Sequence, residues 1–200
     1  MGDMQTMLIA LGLGYLPGSI PFGLFFAFAS GAGDVRKIGS GNIGATNVLR
    51  TGRKWAAAAT LLCDGLKGAA AVIAARLWLG PGADIFAAAG AVIGHVFPVW
   101  LKFRGGKGVA TFLGVSFALH WMAGLAVALT WLIMAFIFRI SSLSALIAIA
   151  CAPVFFFFVL LPHYVPVIAL LAILVIVMHH ANIRRLLNGT EPRIGSKDTP

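Results

Sequence analysis

"VATFLGVSFALHWMAGLAVALTWLIMAFIF", residues 109–138, is a long stretch without a single Asp, Glu, Lys or Arg, and its reading decides the topology of the chain. About 20 apolar residues cross the roughly 30 Å of hydrocarbon in a bilayer, so the stretch is long for one helix and short for two. One tilted helix fits it, and so do two helices of about 14 residues each with a turn near Trp121 and Gly124.

The surrounding charges separate the two readings. Loop 31–54 (Arg36, Lys37, Arg50, Arg53, Lys54), loop 102–107 (Lys102, Arg104, Lys107), the turn at Arg139 and the tail (Arg184, Arg185, Arg193, Lys197) hold every Lys and Arg of the 15 except Lys67 and Arg76. Two helices within 109–138 place all four groups on one side, whereas one helix sends the tail across and breaks the positive-inside bias. With further apolar runs at 7–29, 55–79, 84–101, 142–161 and 165–179, the sequence predicts an all-α integral membrane protein. Seven transmembrane helices are expected, with the N-terminus outside, the C-terminus cytoplasmic, and residues 1–200 forming a single membrane-embedded domain.

Composition points the same way. Of 200 residues, 60% are hydrophobic and only 10% charged, with a mean hydropathy of +0.96, whereas a soluble domain is nearer a quarter charged. The first residues, "MGDMQTMLIA", lack the basic start of a signal peptide, so the first apolar run is expected to be retained as a span. The net charge of +9 follows from the one-sided basic loops and suits an anionic lipid surface, so it does not point to nucleic acid. Cys63 and Cys151 lie in apolar runs and read as small buried hydrophobes. Within the spans, Pro17, Gly18 and Pro21 predict a kinked or broken first helix. Asp64 and Lys67, at i and i+3, predict an internal ion pair, and "GAVIG" at 90–94 a small-residue helix contact.

Three basic segments hold most of the remaining polar chemistry. "IGSGNIGATNVLRTG", 38–52, matches G-x-G-x-x-G at Gly39, Gly41 and Gly44, with Asp64 about 20 residues on. A dinucleotide loop must follow a strand, yet this one follows a span and Asp64 lies inside the next, so that reading fails. Its glycines instead allow close approach of an anion, while Ser40, Asn42, Thr46 and Asn47 offer short polar groups and Arg50 a planar fork of donors. A loop that merely fixes topology needs none of those uncharged side chains. "FRGGKGVATF", 103–112, is no Walker loop, since a Gly five positions before Gly106 and a Ser or Thr after Lys107 are both missing. Gly105, Gly106 and Gly108 around Lys107 predict a backbone nest suited to phosphate at the start of a helix, with a plain tight turn as the alternative. In "HHANIRRLLNGTEP", 179–192, His179 and Asn182 share a helix face, with Arg185 and Leu186 a turn further on. An interfacial histidine is the alternative there. Glu191, the only glutamate, reads as a structural ion-pair partner, and Ser141, Ser142 and Ser144 as capping residues or substrate contacts.

Basic and backbone donors with few acids and no metal-ligand cluster suit a phosphorylated, lipidic substrate. None of the five histidines is followed by Asp five residues on, and G-x-S-x-G is missing, so a thioester-using H-x-x-x-x-D acyltransferase or a serine hydrolase is not indicated. An organophosphate transporter is the alternative, but beyond Lys67 the spans offer little polarity besides Arg76, His95 and His120, and no internal repeat is evident.

"GYLPGSIPFG" (14–23), "GSGNIGATNVLRTGR" (39–53), "CDGLKG" (63–68), "FRGGKGVATFLG" (103–114) and "HHANIRRLLNGTEPRIG" (179–195), in this order, resemble the bacterial acyl-phosphate:glycerol-3-phosphate acyltransferases, the PlsY family, over essentially the whole chain. The resemblance implies a multi-pass inner-membrane enzyme with a cytoplasmic active site. It transfers an acyl group from acyl phosphate to the sn-1 hydroxyl of glycerol 3-phosphate, giving lysophosphatidic acid. It further implies that Ser40, Gly41, Asn42 and Arg50 belong to the first substrate-binding motif, that Gly105, Gly106, Lys107 and Gly108 form a phosphate loop, and that His179 and Asn182 complete the site. Ser142 matches the serine near the glycerol 3-phosphate pocket, and Asp64, Lys67 and Glu191 are read as structural support. No metal, cofactor, nucleic acid or obligate protein partner is implied; the partners are the two substrates and membrane lipid.

The charge pattern makes the topology testable. On a cysteine-free background, single cysteines at Ser40, Lys107, Ser142 and Asn188 should react with an impermeant thiol reagent only once the cytoplasmic side is opened, and one at Gly82 should show the reverse. Labelling of position 188 from outside intact cells would mean six spans.

Overall fold

The proline pair of the first span sets the pattern of the fold, in which helices are long where the sequence is apolar and break where Pro, Gly or an isolated polar residue interrupts it. The structure, a computed structural model, describes residues 3–159 and 161–195, and among these all regular structure is helical. Contacts divide the chain into two units, Met1–Leu119 and His120–Pro200.

In the first unit, α1 (Met4–Gly18) and α2 (Phe22–Ala29) together make the first candidate span, Met4–Ala29. Pro17 lies inside α1, and Pro21 has no N–H to continue the ladder, so the helix breaks between them, as expected. The short α3 (Ala45–Arg50) leads into α4 (Lys54–Leu79), followed by α5 (Ala83–Val96) and α6 (Val109–Leu119). Two close helix contacts organise this unit. α1 lies along α5 through Gly14, Gly18, Gly90 and Gly94, each so close that a β-carbon would overlap a facing backbone carbonyl; the small-residue contact expected at "GAVIG" is this one. α4 meets α6 the same way, Gly114 against the Gly65 carbonyl and Gly68 against Thr111. Without a hydrophobic drive between helices in lipid, such close packing supplies the association energy.

The second unit holds α7 (Trp121–Phe138), α8 (Ser141–Phe158), α9 (Val165–Met178) and α10 (His180–Leu187). α8 packs on both α7 and α9, and Tyr164 before α9 meets Phe156 of α8 edge-on at 6.1 Å. In both units large apolar side chains such as Trp78, Phe136 and Phe158 face outward, while many of the buried positions are Ala, Gly or Ser beside Val, Ile and Phe. That is the inverted order a hydrocarbon solvent requires. Cys63 and Cys151 are free thiols, half-buried rather than fully buried as expected.

Among the described residues five helical segments are long and apolar enough to cross a membrane, and the bent pair of residues 162–178 and α10 makes up to six. The division expected within 109–138 is present and falls at His120, next to the expected turn near Trp121 to Gly124, but it is unequal: 11 residues in α6 and 18 in α7. His120 is extended, at φ −157° and ψ 117°, and its carbonyl accepts the Gly124 N–H that opens α7. The Leu119 carbonyl, left over at the end of α6, receives Arg76 Nη2 at 3.4 Å, and Arg76 is itself ion-paired with Asp84. At about 16 Å, α6 alone covers roughly half of the hydrocarbon thickness. The last apolar run also differs from the expected continuous span, because it bends by 61° at His179.

Candidate active site

The first motif is wired from inside by Asn47. Buried at 2% exposure, its Nδ2 donates to the carbonyls of Val35, Ile38 and Asn42 at 2.8 to 3.0 Å, while its Oδ1 accepts the Ser40 N–H. Asn42 Oδ1 accepts the Gly44 N–H at 2.8 Å, a local side-chain turn that ends at the start of α3. The sequence offered Asn42 and Asn47 as groups for a substrate; the fold spends Asn47 on the loop itself. Gly39 has a φ of 52°, and a β-carbon there would stand 2.9 Å from Arg50 Cδ and Nη1, so the guanidinium lies across this turn. Ser40 and Gly41 are exposed beside it. Just upstream, Asp34 binds the Arg36 guanidinium at 2.7 Å, and those hydrogen bonds hold its carboxyl down at about 2.

The second motif departs from the expected nest. Lys102 and Phe103 both adopt left-handed backbone, at φ 52° and 61°, which turns the chain back on the end of α5. Gly105 N–H then donates to the Val96 carbonyl at 3.0 Å and Gly106 N–H to the His95 carbonyl at 3.1 Å. These two amides are therefore committed to α5 instead of facing a ligand. The residues are glycine because β-carbons would overlap the His95 and Val96 carbonyls at 105 and the His95 ring at 106. Gly108, at φ 92°, begins α6, where its carbonyl accepts the Phe112 N–H. Lys107 stands half-buried between the two glycine turns. The two motifs meet: a cavity of about 530 Å³ is lined by Ser40, Gly41 and Asn42 of the first and by Gly105, with Arg36, Trp100, Leu101, Lys102 and Arg104. No acidic residue lines it, so it favours an anion.

Beneath this region Asp64 and Lys67 form the expected pair, Nζ to Oδ1 at 2.6 Å, with both side chains 3% exposed. Lys67 also donates to the Ile20 carbonyl at 2.7 Å, and His95 Nδ1 faces Asp64 Oδ1 at 3.6 Å. Sequence reading missed His95 as a partner. It lies far along the chain from Asp64, and in an apolar helix its only signal was that it is ionisable where ionisable residues are rare.

In the second unit Glu191 is the hub. Its Oε1 accepts Ser142 Oγ at 2.6 Å and Asn182 Nδ2 at 2.5 Å, and its Oε2 is ion-paired with Arg185 Nε at 2.6 Å. Ser142, Asn182, Arg185 and Glu191 are thus brought together, and the bend at His179 leaves Asn182 and Arg185 on one face of α10 rather than on one continuous helix with His179. Burial pushes the Glu191 carboxyl up, but the hydrogen bonds from Ser142, Asn182 and Arg185 outweigh it and hold the group below its ordinary 4.5. His179, buried at 3% exposure, places Nδ1 2.7 Å from the Val175 carbonyl. A carbonyl only accepts, so we assign the hydrogen to Nδ1, which leaves Nε2 as the basic nitrogen of the neutral ring.

The glycerol-3-phosphate acyltransferase family model matches residues 8–189, which takes in the first two motifs and the third as far as Gly189, with His179 and Asn182, and stops short of Glu191. The chain belongs to this family. Its relatives include the glycerol-3-phosphate acyltransferases of Mesorhizobium japonicum, 56% identical over 96% of this chain and 97% of the relative, and of Cereibacter sphaeroides, 60% identical over 92% of each. Among solved structures it is similar to PlsY, an integral membrane glycerol 3-phosphate acyltransferase. The glycerol 3-phosphate form superposes with a TM-score of 0.89 at 38% identity, covering 94% of this chain and 96% of that one. The lysophosphatidic acid form gives 0.87 at 37% identity, covering 94% and 95%. This acyltransferase is therefore an all-helical integral membrane protein.

The Glu191 hub gives a stability test. Glu191→Ala strands Ser142, Asn182 and Arg185 and should cost about 1 to 3 kcal/mol, read as a lower thermal midpoint in detergent and less folded protein. Because the folded carboxyl titrates below 4.5, its contribution is complete above the ordinary value and fades as pH falls through the depressed one. Glu191→Gln should therefore lose less stability on acidification than the native chain; an unchanged acid profile would contradict the hub.

Proposed function

We propose that acyl phosphate is the donor in the reaction this chain catalyses, the acylation of glycerol 3-phosphate to lysophosphatidic acid. The family match over residues 8–189, with His179 and Asn182 inside it, carries the reaction. The choice of donor rests on chemistry: acyl phosphate is a mixed anhydride with a good leaving group, so holding the hydroxyl in place and neutralising phosphate charge suffices without a nucleophilic side chain. The sn-1 hydroxyl oxygen attacks the acyl carbonyl carbon, a C–O ester bond forms, and the C–O bond to phosphate breaks. Arg50 and Lys107 make the charge-assisted bonds to phosphate, Ser40, Gly41, Asn42 and Gly108 line its approach, and Ser142 and Asn182, set by Glu191, orient the glycerol 3-phosphate. Gly105 and Gly106 act by placing Lys107. The hydroxyl proton leaves to His179 Nε2 or to a substrate phosphate oxygen.

The surroundings follow from the charges. α6, short as it is, serves as a crossing, because seven crossings with the N-terminus outside keep the basic loops on the cytoplasmic face of the bacterial inner membrane. The active site then opens where soluble glycerol 3-phosphate is met and the acyl chain stays in the bilayer. The family match runs through both units, so residues 1–200 are read as one acyltransferase domain.

Purified protein should convert acyl phosphate and glycerol 3-phosphate to lysophosphatidic acid and show no turnover with acyl-CoA. Lys107→Ala and Arg50→Ala should each lower kcat/KM by roughly 10- to 100-fold. Robust acyl-CoA turnover, a covalent acyl-enzyme seen by mass spectrometry, or full activity of both variants would overturn this reading. The residual rate of His179→Ala separates the two proton routes: a rise with pH through the second ionisation of phosphate, near 6, identifies the substrate as base.

A further inference from the structure

Asp64, Lys67 and His95 take no part in the reaction as derived above, yet they are among the costliest side chains in the first unit to bury, at 2%, 6% and 5% exposure. Each is held by a contact that leads to the next. The break in the first span frees the Ile20 carbonyl, which Lys67 Nζ reaches at 2.7 Å, and the Phe22 ring lies 5.6 Å from the same ammonium. Lys67 binds Asp64 at 2.6 Å, and Asp64 Oδ1 faces His95 Nδ1, a nitrogen enclosed by protein with no hydrogen-bond partner among the described residues. The far edge of the same ring meets Gly106.

That last contact is unlike those of the other loop glycines. Gly106 does not have left-handed backbone, unlike Gly108, so nothing in its conformation demands glycine. The nearest atoms to a β-carbon at 106 are all in the His95 ring: Nε2 in overlap, Cε1 at 2.9 Å and Cδ2 at 3.0 Å. The imidazole leaves no room for a β-carbon there. The backbone of His95 holds the loop too, since its carbonyl accepts the Gly106 N–H at 3.1 Å. One residue, facing a buried carboxylate across 3.6 Å on one edge, thus seats the residue immediately before Lys107.

We propose that His95 is a positioning residue for the reaction: its ring, packed between the Asp64–Lys67 pair and the loop, seats Gly106, and the seat fixes where Lys107 stands. The inference rests on the reading of Lys107 as a phosphate-binding group, and a residue that acts through another loses its effect once that other is gone.

The test is a pair of double-mutant cycles on purified protein, with kcat/KM for acyl transfer as the readout and thermal midpoint as a folding control. His95→Ala should lower kcat/KM about tenfold in the native chain and by less than about twofold in the Lys107→Ala background. Gly106→Ala alone should be impaired by the imidazole, and Gly106→Ala combined with His95→Ala should be more active than Gly106→Ala by itself. If His95→Ala does not accumulate, His95→Asn, which keeps a donor toward Asp64, is compared with Gly106→Ala in the Lys107→Ala background; both should again lose their effect there. Equal fold losses with and without Lys107, or multiplying losses for positions 95 and 106, would overturn the proposal while leaving the role of Lys107 intact. Full activity of Lys107→Ala itself would overturn both. A purely structural role would lower the thermal midpoint and activity alike in every background.

Discussion

Lys67 places an ammonium midway along an apolar helix, and the first unit is built so that this charge has partners. In hydrocarbon an unpaired ion is costly enough to exclude the arrangement, so the carboxylate of Asp64, the Ile20 carbonyl and the Phe22 ring must all be in place. The broken first span thereby gains a physical purpose. An unbroken helix would use the Ile20 carbonyl in its own ladder; Pro21 and the turn around it release that acceptor.

Glycine does three different jobs in this protein, and the motif patterns do not distinguish them. At Gly14, Gly90 and Gly114 it lets helices touch backbone to backbone. At Gly39 and Gly108 it supplies left-handed backbone. At Gly105 and Gly106 it makes room for a neighbour, His95 above all, while the amides bond to the end of α5. A glycine-rich string at a helix start invites the anion-nest reading, but an amide serves a ligand only when its hydrogen is not already given to the protein.

In the second unit a single carboxylate does comparable work. Glu191 sits beyond the last helix in sequence but gathers a serine from the start of α8 and an asparagine and an arginine from α10. Four polar groups that would each be poorly satisfied alone become one closed network, which is why the only glutamate has a structural part.

Much of this was legible in the sequence. The 3.6-residue geometry and the bilayer thickness fix how many apolar residues a span needs, so the long apolar helices, the break at Pro17–Pro21 and the small-residue contact at Gly90 and Gly94 follow from local composition, whereas the short α6 and the bend at His179 do not. The Asp64–Lys67 pair was readable for the same reason, since i and i+3 are neighbours on any helix. The three motif segments and their family resemblance were equally visible. What sequence could not supply was contact between distant positions: His95 with Asp64 and Gly106, Asn47 with Val35 and Ile38, Glu191 with Ser142. Nor could it show how the break at His120 is satisfied, with the Leu119 carbonyl taken up by Arg76 from another helix. Those outcomes depend on which backbones approach closely enough to leave a polar group one partner and no other, and only the packed helices decide that.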